Sequence, residues 1–262
     1  MLYLPDVTLC AATCVNVPAT IEAMERCLAV ARFGRVLLFT DDKSDRPTAG
    51  VERIAIRPLT SSRDYSRFVL QDMVDWVETS HCLIVQWDGF ILNAESWSAD
   101  FLDCDYIGAP WPQFRDGHDV GNGGFSLRSR RLMEACRDPR FIDTGQAEDV
   151  VIGRANRSWL EQELDLRFAD RALASRFSFE RDRTVAAPFG FHGVFNLPEA
   201  IGADEFWHLY RGLDDTGTVW IDFAPLLRTI LRGPDGLRRA ALFILDRLSR
   251  SFRRGVPPFG QQ

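Results

Sequence analysis

The chain is 262 residues long, 46% hydrophobic and 26% charged, with a formal net charge of −6. That is enough ordinary globular sequence to bury a large core. It excludes a disordered tail, a collagen-like or coiled-coil rod and a small disulfide-stapled fold, and no stretch nears the roughly 18 apolar residues of a membrane-spanning helix.

The charge is unevenly spread. Residues 224–262 carry eight arginines against Asp235 and Asp246, a net +6 that leaves −12 for the first 223 residues. An acidic body argues against nucleic acid as a partner, whereas the basic tail suits an anionic surface. Met1–Asp6 lacks the basic segment and small-residue cleavage site of a secretory signal, so a cytoplasmic protein is expected. Cys10, Cys14, Cys27, Cys82, Cys104 and Cys136 form no zinc spacing and are expected as reduced, mostly buried thiols. Lys43 is the only lysine, and no function follows from that.

In chain order, Val7–Ala12 reads as a buried strand, and Pro18–Arg32 as an amphipathic helix with Ile21, Met24, Leu28 and Ala31 on one face. Gly34 is expected to end that helix. Arg35–Thr40, Val51–Ile56 and Cys82–Trp87 read as further strands, with a helix over Tyr65–Thr79 between the last two. Continuous apolar strands alternating with helices predict an α/β fold with a mostly parallel central sheet. Such sheets bind ligands beyond the carboxyl ends of their strands, here Asn16, Asp41, Asp42, Asp88 and Gly89.

Beyond Asp88 come a turn-rich aromatic stretch, Tyr106–Pro112, and a glycine loop, Gly121-Asn122-Gly123-Gly124, running into a short strand. Arg130–Cys136 and Ala147–Asn156 read as helices, the second with Thr144 as a candidate cap, and a final helix follows Gly233–Gly236. Two domains are expected, 1–215 and a helical extension, 216–262.

Four features carry chemistry. The Asp88 carboxylate, directly after a buried strand, can hold a divalent cation or face a diphosphate, or simply close a turn with Gly89. Glycines at 121, 123 and 124 let backbone approach a ligand, yet the loop matches neither a P-loop nor the dinucleotide fingerprint. Glu148-Asp149, at a helix start, is either a base for a hydroxyl or a pair favoured by the helix dipole. His192, between Phe191 and Gly193, is a metal or phosphate ligand or a hydrogen-bonded core residue. No Ser-His-Asp or Cys-His nucleophile is legible.

A strand ending in an acidic turn, a glycine loop, an acidic pair and a late histidine, in that order, resemble the GT-A superfamily of nucleotide-sugar glycosyltransferases. Val85–Gly89, Asp105–Trp111 and Gly121–Ser129 are similar to a bacterial glycosyltransferase-like domain family of unknown function. The likeness covers about Val7 to Leu197.

It implies a GT-A-like fold in which Asp88 occupies the DxD position and His192 is the second protein ligand, the two holding a divalent cation (Mn or Mg) or the diphosphate. Gln86 stands where the first acid of DxD would lie, a departure that weakens the case for the cation. Gln86 and Trp87 fall with the donor-binding residues, as do Gly123 and Gly124. Thr13, Asn16 and Asp41 would meet the base and ribose, and Arg67 a phosphate. Asp149, with Glu148 beside it, would be the base.

The implied activity is transfer of a sugar from a nucleotide sugar, UDP being the superfamily-level choice, to a glycan or lipid-linked acceptor in bacterial surface polysaccharide synthesis. An acidic base on the acceptor side suffices for inversion. Trp87, Trp111 and Trp207 would suit stacking on sugar faces, though large aromatics more often belong to the core. Two alternatives stay open: a nucleotide-sugar-binding protein that has lost turnover, and a glycoside hydrolase using Asp88 and Asp149.

Leu237, Ala241, Ile244, Leu245, Leu248 and Phe252 share a helical stripe among arginines. Residues 237–254 therefore meet a membrane surface or, the reading favoured here, pack on protein.

Overall fold

The computed structural model describes residues 1–42 and 48–254, with side chains placed as far as Ser249. Lys43, Pro257 and Pro258, and the side chains of Phe252, Arg250, Arg253 and Arg254, lie outside the described residues. The chain divides into two compact units, Met1–Gly193 and Val194–Gln262.

The first unit is built on strands β1 (Leu2–Ala12), β2 (Ala31–Thr40), β3 (Glu52–Ala55) and β4 (His81–Val85), with helix α1 (Val17–Val30) between the first two. Strands β5 (Tyr106–Ile107) and β6 (Phe125–Ser129) complete a six-stranded sheet in the order β3-β2-β1-β4-β6-β5. The first four strands run parallel and β6 is antiparallel to both its neighbours. This is the expected α/β class. Leu9, Cys10, Leu37, Phe39, Leu83 and Ile84 are fully buried, as strands covered on both faces require.

Two features of the sheet position the site. Neighbours leave β1 in opposite directions, β2 to one side and β4 to the other, so a crevice opens between the carboxyl-end loops of β1 and β4. The antiparallel register pairs Val85 with Phe125. Gln86–Asp88, just past β4, are thereby brought beside Gly123-Gly124, just before β6.

The helix predicted to stop at Gly34 gives way to β2 at Ala31, and Gly34 lies inside the strand. Its reason is a close approach: a Cβ there would sit 2.2 Å from the Pro5 carbonyl oxygen, where β1 changes register. The stretch predicted as a helix over 65–79 begins as α2 (Ser62–Arg67), capped by Ser61, then widens into a π turn (Phe68–Asp72) and tightens over Met73–Trp76. The wide turn directs three consecutive side chains, Phe68, Val69 and Leu70, into the core.

Helix α3 (Arg130–Ala135) follows β6, with the Ser129 hydroxyl accepting from Leu132 N at 3.0 Å. Helix α4 (Glu148–Val150) passes through another π turn, Val151–Ala155, into α5 (Arg157–Leu164). Ala147, not Thr144, precedes α4, and the Thr144 hydroxyl instead meets the Gln146 amide at 3.1 Å. Helix α6 (Arg171–Phe177) leads into a second small sheet, in which β7 (Ser178–Phe179) pairs parallel with β8 (Gly190–Phe191). Five of the six cysteines are buried, and Cys14 is partly exposed.

The second unit is helical: α7 (Leu197–Ile201), α8 (Ala203–Arg211), α9 (Phe223–Arg232) and α10 (Gly236–Arg254). Its core is aromatic, with Tyr210 and Trp220 against Phe243, and Phe223 stacked on Phe243 at 5.1 Å. The Tyr210 hydroxyl donates to Asp246 at 2.7 Å. These contacts tie α8 to α10, so the expected boundary at 215/216 falls within this unit. Trp207 packs on Tyr210 and under Arg239, an aromatic of this unit's own packing.

Candidate active site

Three chain crossings meet at the carboxyl end of β4. The β4 loop brings Gln86 and Asp88; the turn before β6 brings Gly123 and Gly124; and the parallel pair β7–β8 ends in Glu180 and His192. Backbone bonds lock them together: Gly193 N donates to Asp88 O and His192 N to Phe179 O, both at 3.0 Å. A cavity of about 280 Å³ lies here, lined by Ser62, Tyr65, Ser66, Gln86, Trp111, Asn122, Gly123, Gly124, Ala147, Glu148, Asp149, Glu180 and His192.

The His192 ring is the hub. Its Nε2 stands 3.2 Å from Gln86 Oε1 and 3.3 Å from Asp88 Oδ1, and its Nδ1 is 3.8 Å from Glu180 Oε1. Gln86 Nε2 in turn donates to the Tyr65 hydroxyl at 3.0 Å. Burial works against the imidazolium, but Asp88, Glu180 and Asp149 outweigh it and hold the proton on up to about 9. Asp88 is buried, and its Oδ1 makes no hydrogen bond despite its closeness to the ring.

The acidic pair is split by its surroundings. Glu148 turns inward to Arg128 on β6, at 2.9 Å, and both side chains are almost wholly buried. Asp149 faces the cavity, accepting from Val150 N at 2.8 Å and Gly123 N at 3.2 Å. Burial, reinforced by the Glu148 charge, raises its carboxyl above the ordinary carboxylate value.

Gly123 and Gly124 line the cavity with their backbone, and close approaches on their other side require glycine. A Cβ on Gly123 would lie 1.9 Å from Glu148 Oε1, one on Gly124 2.1 Å from His192 Nε2, and one on Gly121 1.9 Å from the Trp111 ring. The space is filled by the protein's own side chains. The turn's left-handed residue is Asn122, with φ 65°.

Other predicted residues lie farther along the edge. Thr13 N donates to Phe39 O at 2.9 Å and Asn16 is buried in a left-handed turn opening α1, while Asp41 follows β2 beside Cys14. Thr13, Asn16, Asp41 and Trp87 do not line the cavity around His192, and Asp88 reaches it only through the His192 ring. Arg67 lines a different groove of about 550 Å³, with Arg57, Asp64 and Phe68, because α2 turns that side chain away from Tyr65 and Ser66.

Tyr65 and Glu180 are additions. Tyr65 belongs to a predicted helix but carries no motif, and Glu180 sits in a stretch without clear periodicity.

A divalent cation is implied by the sequence resemblance. Asp88 and His192, 3.3 Å apart, would hold one only together with the phosphate oxygens of a bound ligand. Among the described residues no group of three or more His, Cys, Asp or Glu side chains could hold a metal ion.

Fold and site together define an α/β protein with a carboxylate-lined cavity at the carboxyl end of β4. The chain belongs to DUF5672, a family described as protein of unknown function, which matches residues 48–192. No curated protein matches it.

Among solved structures it is similar to a glycosyltransferase involved in the glycosylation of the major capsid of PBCV-1, at 13% identity and TM-score 0.45, over 78% of this chain and 98% of that one. It is also similar to a mannosyltransferase from Pyrobaculum calidifontis in complex with GDP-Man and Mn2+, at 13% identity and TM-score 0.43, over 94% and 76%. Both likenesses are loose, and no residue's role follows from them.

Proposed function

We propose that the protein is a glycosyltransferase that moves a sugar from a nucleotide sugar to a hydroxyl of a glycan or lipid-linked acceptor. The observation that carries this is convergence. Gln86, Gly123-Gly124, Glu148-Asp149 and His192, spread over more than a hundred residues, line one cavity at the ligand edge of the sheet, and Asp88 stands against the His192 ring.

In the proposed reaction the acceptor oxygen bonds to the anomeric carbon as the bond from that carbon to the diphosphate oxygen breaks. Asp149 takes the acceptor's proton, and its raised affinity for a proton suits a general base. His192, the one basic side chain lining the cavity among the described residues, meets the charge growing on the departing diphosphate. Asp88 and Glu180 hold the ring in place. Attack on the face opposite the leaving group gives inversion. UDP is the carrier, and surface polysaccharide made in the cytoplasm is the setting.

A thermal-shift panel of UDP, GDP and their sugars, each with and without manganese, tests it. A specific ligand raises the melting temperature by mass action. Expected is a shift with one nucleotide that is lost in Asp88→Ala, and sugar transfer from that donor lost in Asp149→Asn. A shift without transfer in the wild-type protein would leave a binding protein. No shift on folded protein, with glycoside cleavage instead, would point to a hydrolase.

A further inference from the structure

Helix α10 has two apolar faces. Ala240 and Phe243 are buried, Phe243 between Trp220 and Phe223 of the same unit. Roughly a third of a turn away runs the stripe of Leu237, Ala241, Ile244, Leu245 and Leu248. It is not the packed face: Leu237 is 83% exposed, Leu245 58% and Ile244 36%. The expectation that this stripe packs on protein is therefore not met within the single chain. Leu231, also exposed, ends α9 and is joined to Leu237 by a short turn, so both stand at one end of the helix pair.

The charge around these side chains is mostly positive, with Asp235 exposed in the turn before α10. Arg228, Arg232 and Arg238 are exposed and make no ion pair among the described residues, whereas Arg239 is spent on Asp204 at 2.7 Å and Arg247 lies over Phe223. Exposed leucines beside unpaired arginines suit neither water nor an uncharged protein surface. The apolar chains gain by leaving water and the guanidinium groups by meeting phosphate. No helix among the described residues is long and apolar enough to cross a membrane.

We infer that the outer face of α10, with the end of α9, is a peripheral docking surface for an anionic lipid bilayer. The helix lies in the interface, leucines among the acyl chains and arginines at the headgroups. The inference goes beyond the proposed sugar transfer and stands without it.

Cosedimentation of the full-length protein with vesicles of phosphatidylglycerol and phosphatidylcholine, against phosphatidylcholine alone, tests it. Expected is binding to the anionic vesicles about tenfold or more tighter, falling as salt rises. Leu237→Glu with Leu245→Glu should reduce that binding by about tenfold or more while the melting temperature holds, since both side chains are exposed. Arg228→Gln with Arg238→Gln should weaken it and flatten its salt dependence. Equal binding to both vesicle types, or leucine variants that bind like wild type, would overturn the inference. So would a wild-type dimer that the leucine substitutions split while vesicle binding is absent, which would make the face an interface between two copies.

Discussion

His192 Nε2 stands where a side chain at position 124 would begin: a Cβ on Gly124 would lie 2.1 Å from it. The glycine loop is thus a seat for the histidine, and the same ring touches Gln86 and Asp88. Gly124→Ala should force the ring off Asp88. We expect a loss of about 1–3 kcal/mol of stability from overpacking, measured by urea unfolding, together with loss of the nucleotide-dependent thermal shift. An alanine variant with wild-type stability and ligand response would show that the contact is slack.

Asp149→Asn removes the proposed base and keeps the shape. Transfer should fall by about 10²–10⁴-fold. Because burial raises the Asp149 carboxyl, wild-type transfer should be lost as pH falls through a value above the ordinary carboxylate range. The sign for stability is the reverse of a salt-bridged acid. A raised folded value favours the protonated form, so ionisation at neutral pH costs stability, and the asparagine variant should melt no lower than wild type from this charge. A variant that retains turnover with the same acid limb would remove Asp149 from the chemistry.

Arg128 and Glu148 form an ion pair with almost no water contact. Removing one partner leaves a buried charge, so Arg128→Met should destabilise by about 3–5 kcal/mol. Adding Glu148→Gln should return part of that loss, giving a coupling of about 1 kcal/mol or more in a double-mutant cycle. Additive losses in chemical denaturation would mean that the two charges do not see each other.

Cys14 is the only cysteine of the six that is not buried. It accepts from Leu59 N at 3.2 Å and lies beside Asp41, at the edge proposed for the nucleotide base. Partial burial raises the Cys14 thiol too, but full burial pushes Cys27 and Cys136 up to about 12, and burial pushes Cys104 up to about 11, so these three should resist alkylation most. Thiol titration should find one reactive cysteine in native protein and six in denaturant. A bound nucleotide sugar should slow the one; protection of none would move the base-binding edge elsewhere.

Local sequence determined a good deal. The apolar runs around Leu9, Leu37 and Ile84 mark three sheet strands, and Asp88 falls at the end of one, because burial on both faces is written into consecutive residues. The same holds for the spacing of the α10 stripe. Which stripe packs was settled only by the fold: Phe243 found aromatic partners within its unit, and Leu237 and Leu245 did not. The division of labour between Glu148 and Asp149, adjacent in sequence, came from Arg128 on another strand. Glu180 and Tyr65 joined the site because β7 pairs with β8 and α2 lies over the β4 loop. Those contacts depend on which distant segments share a core, and local propensity holds no record of that.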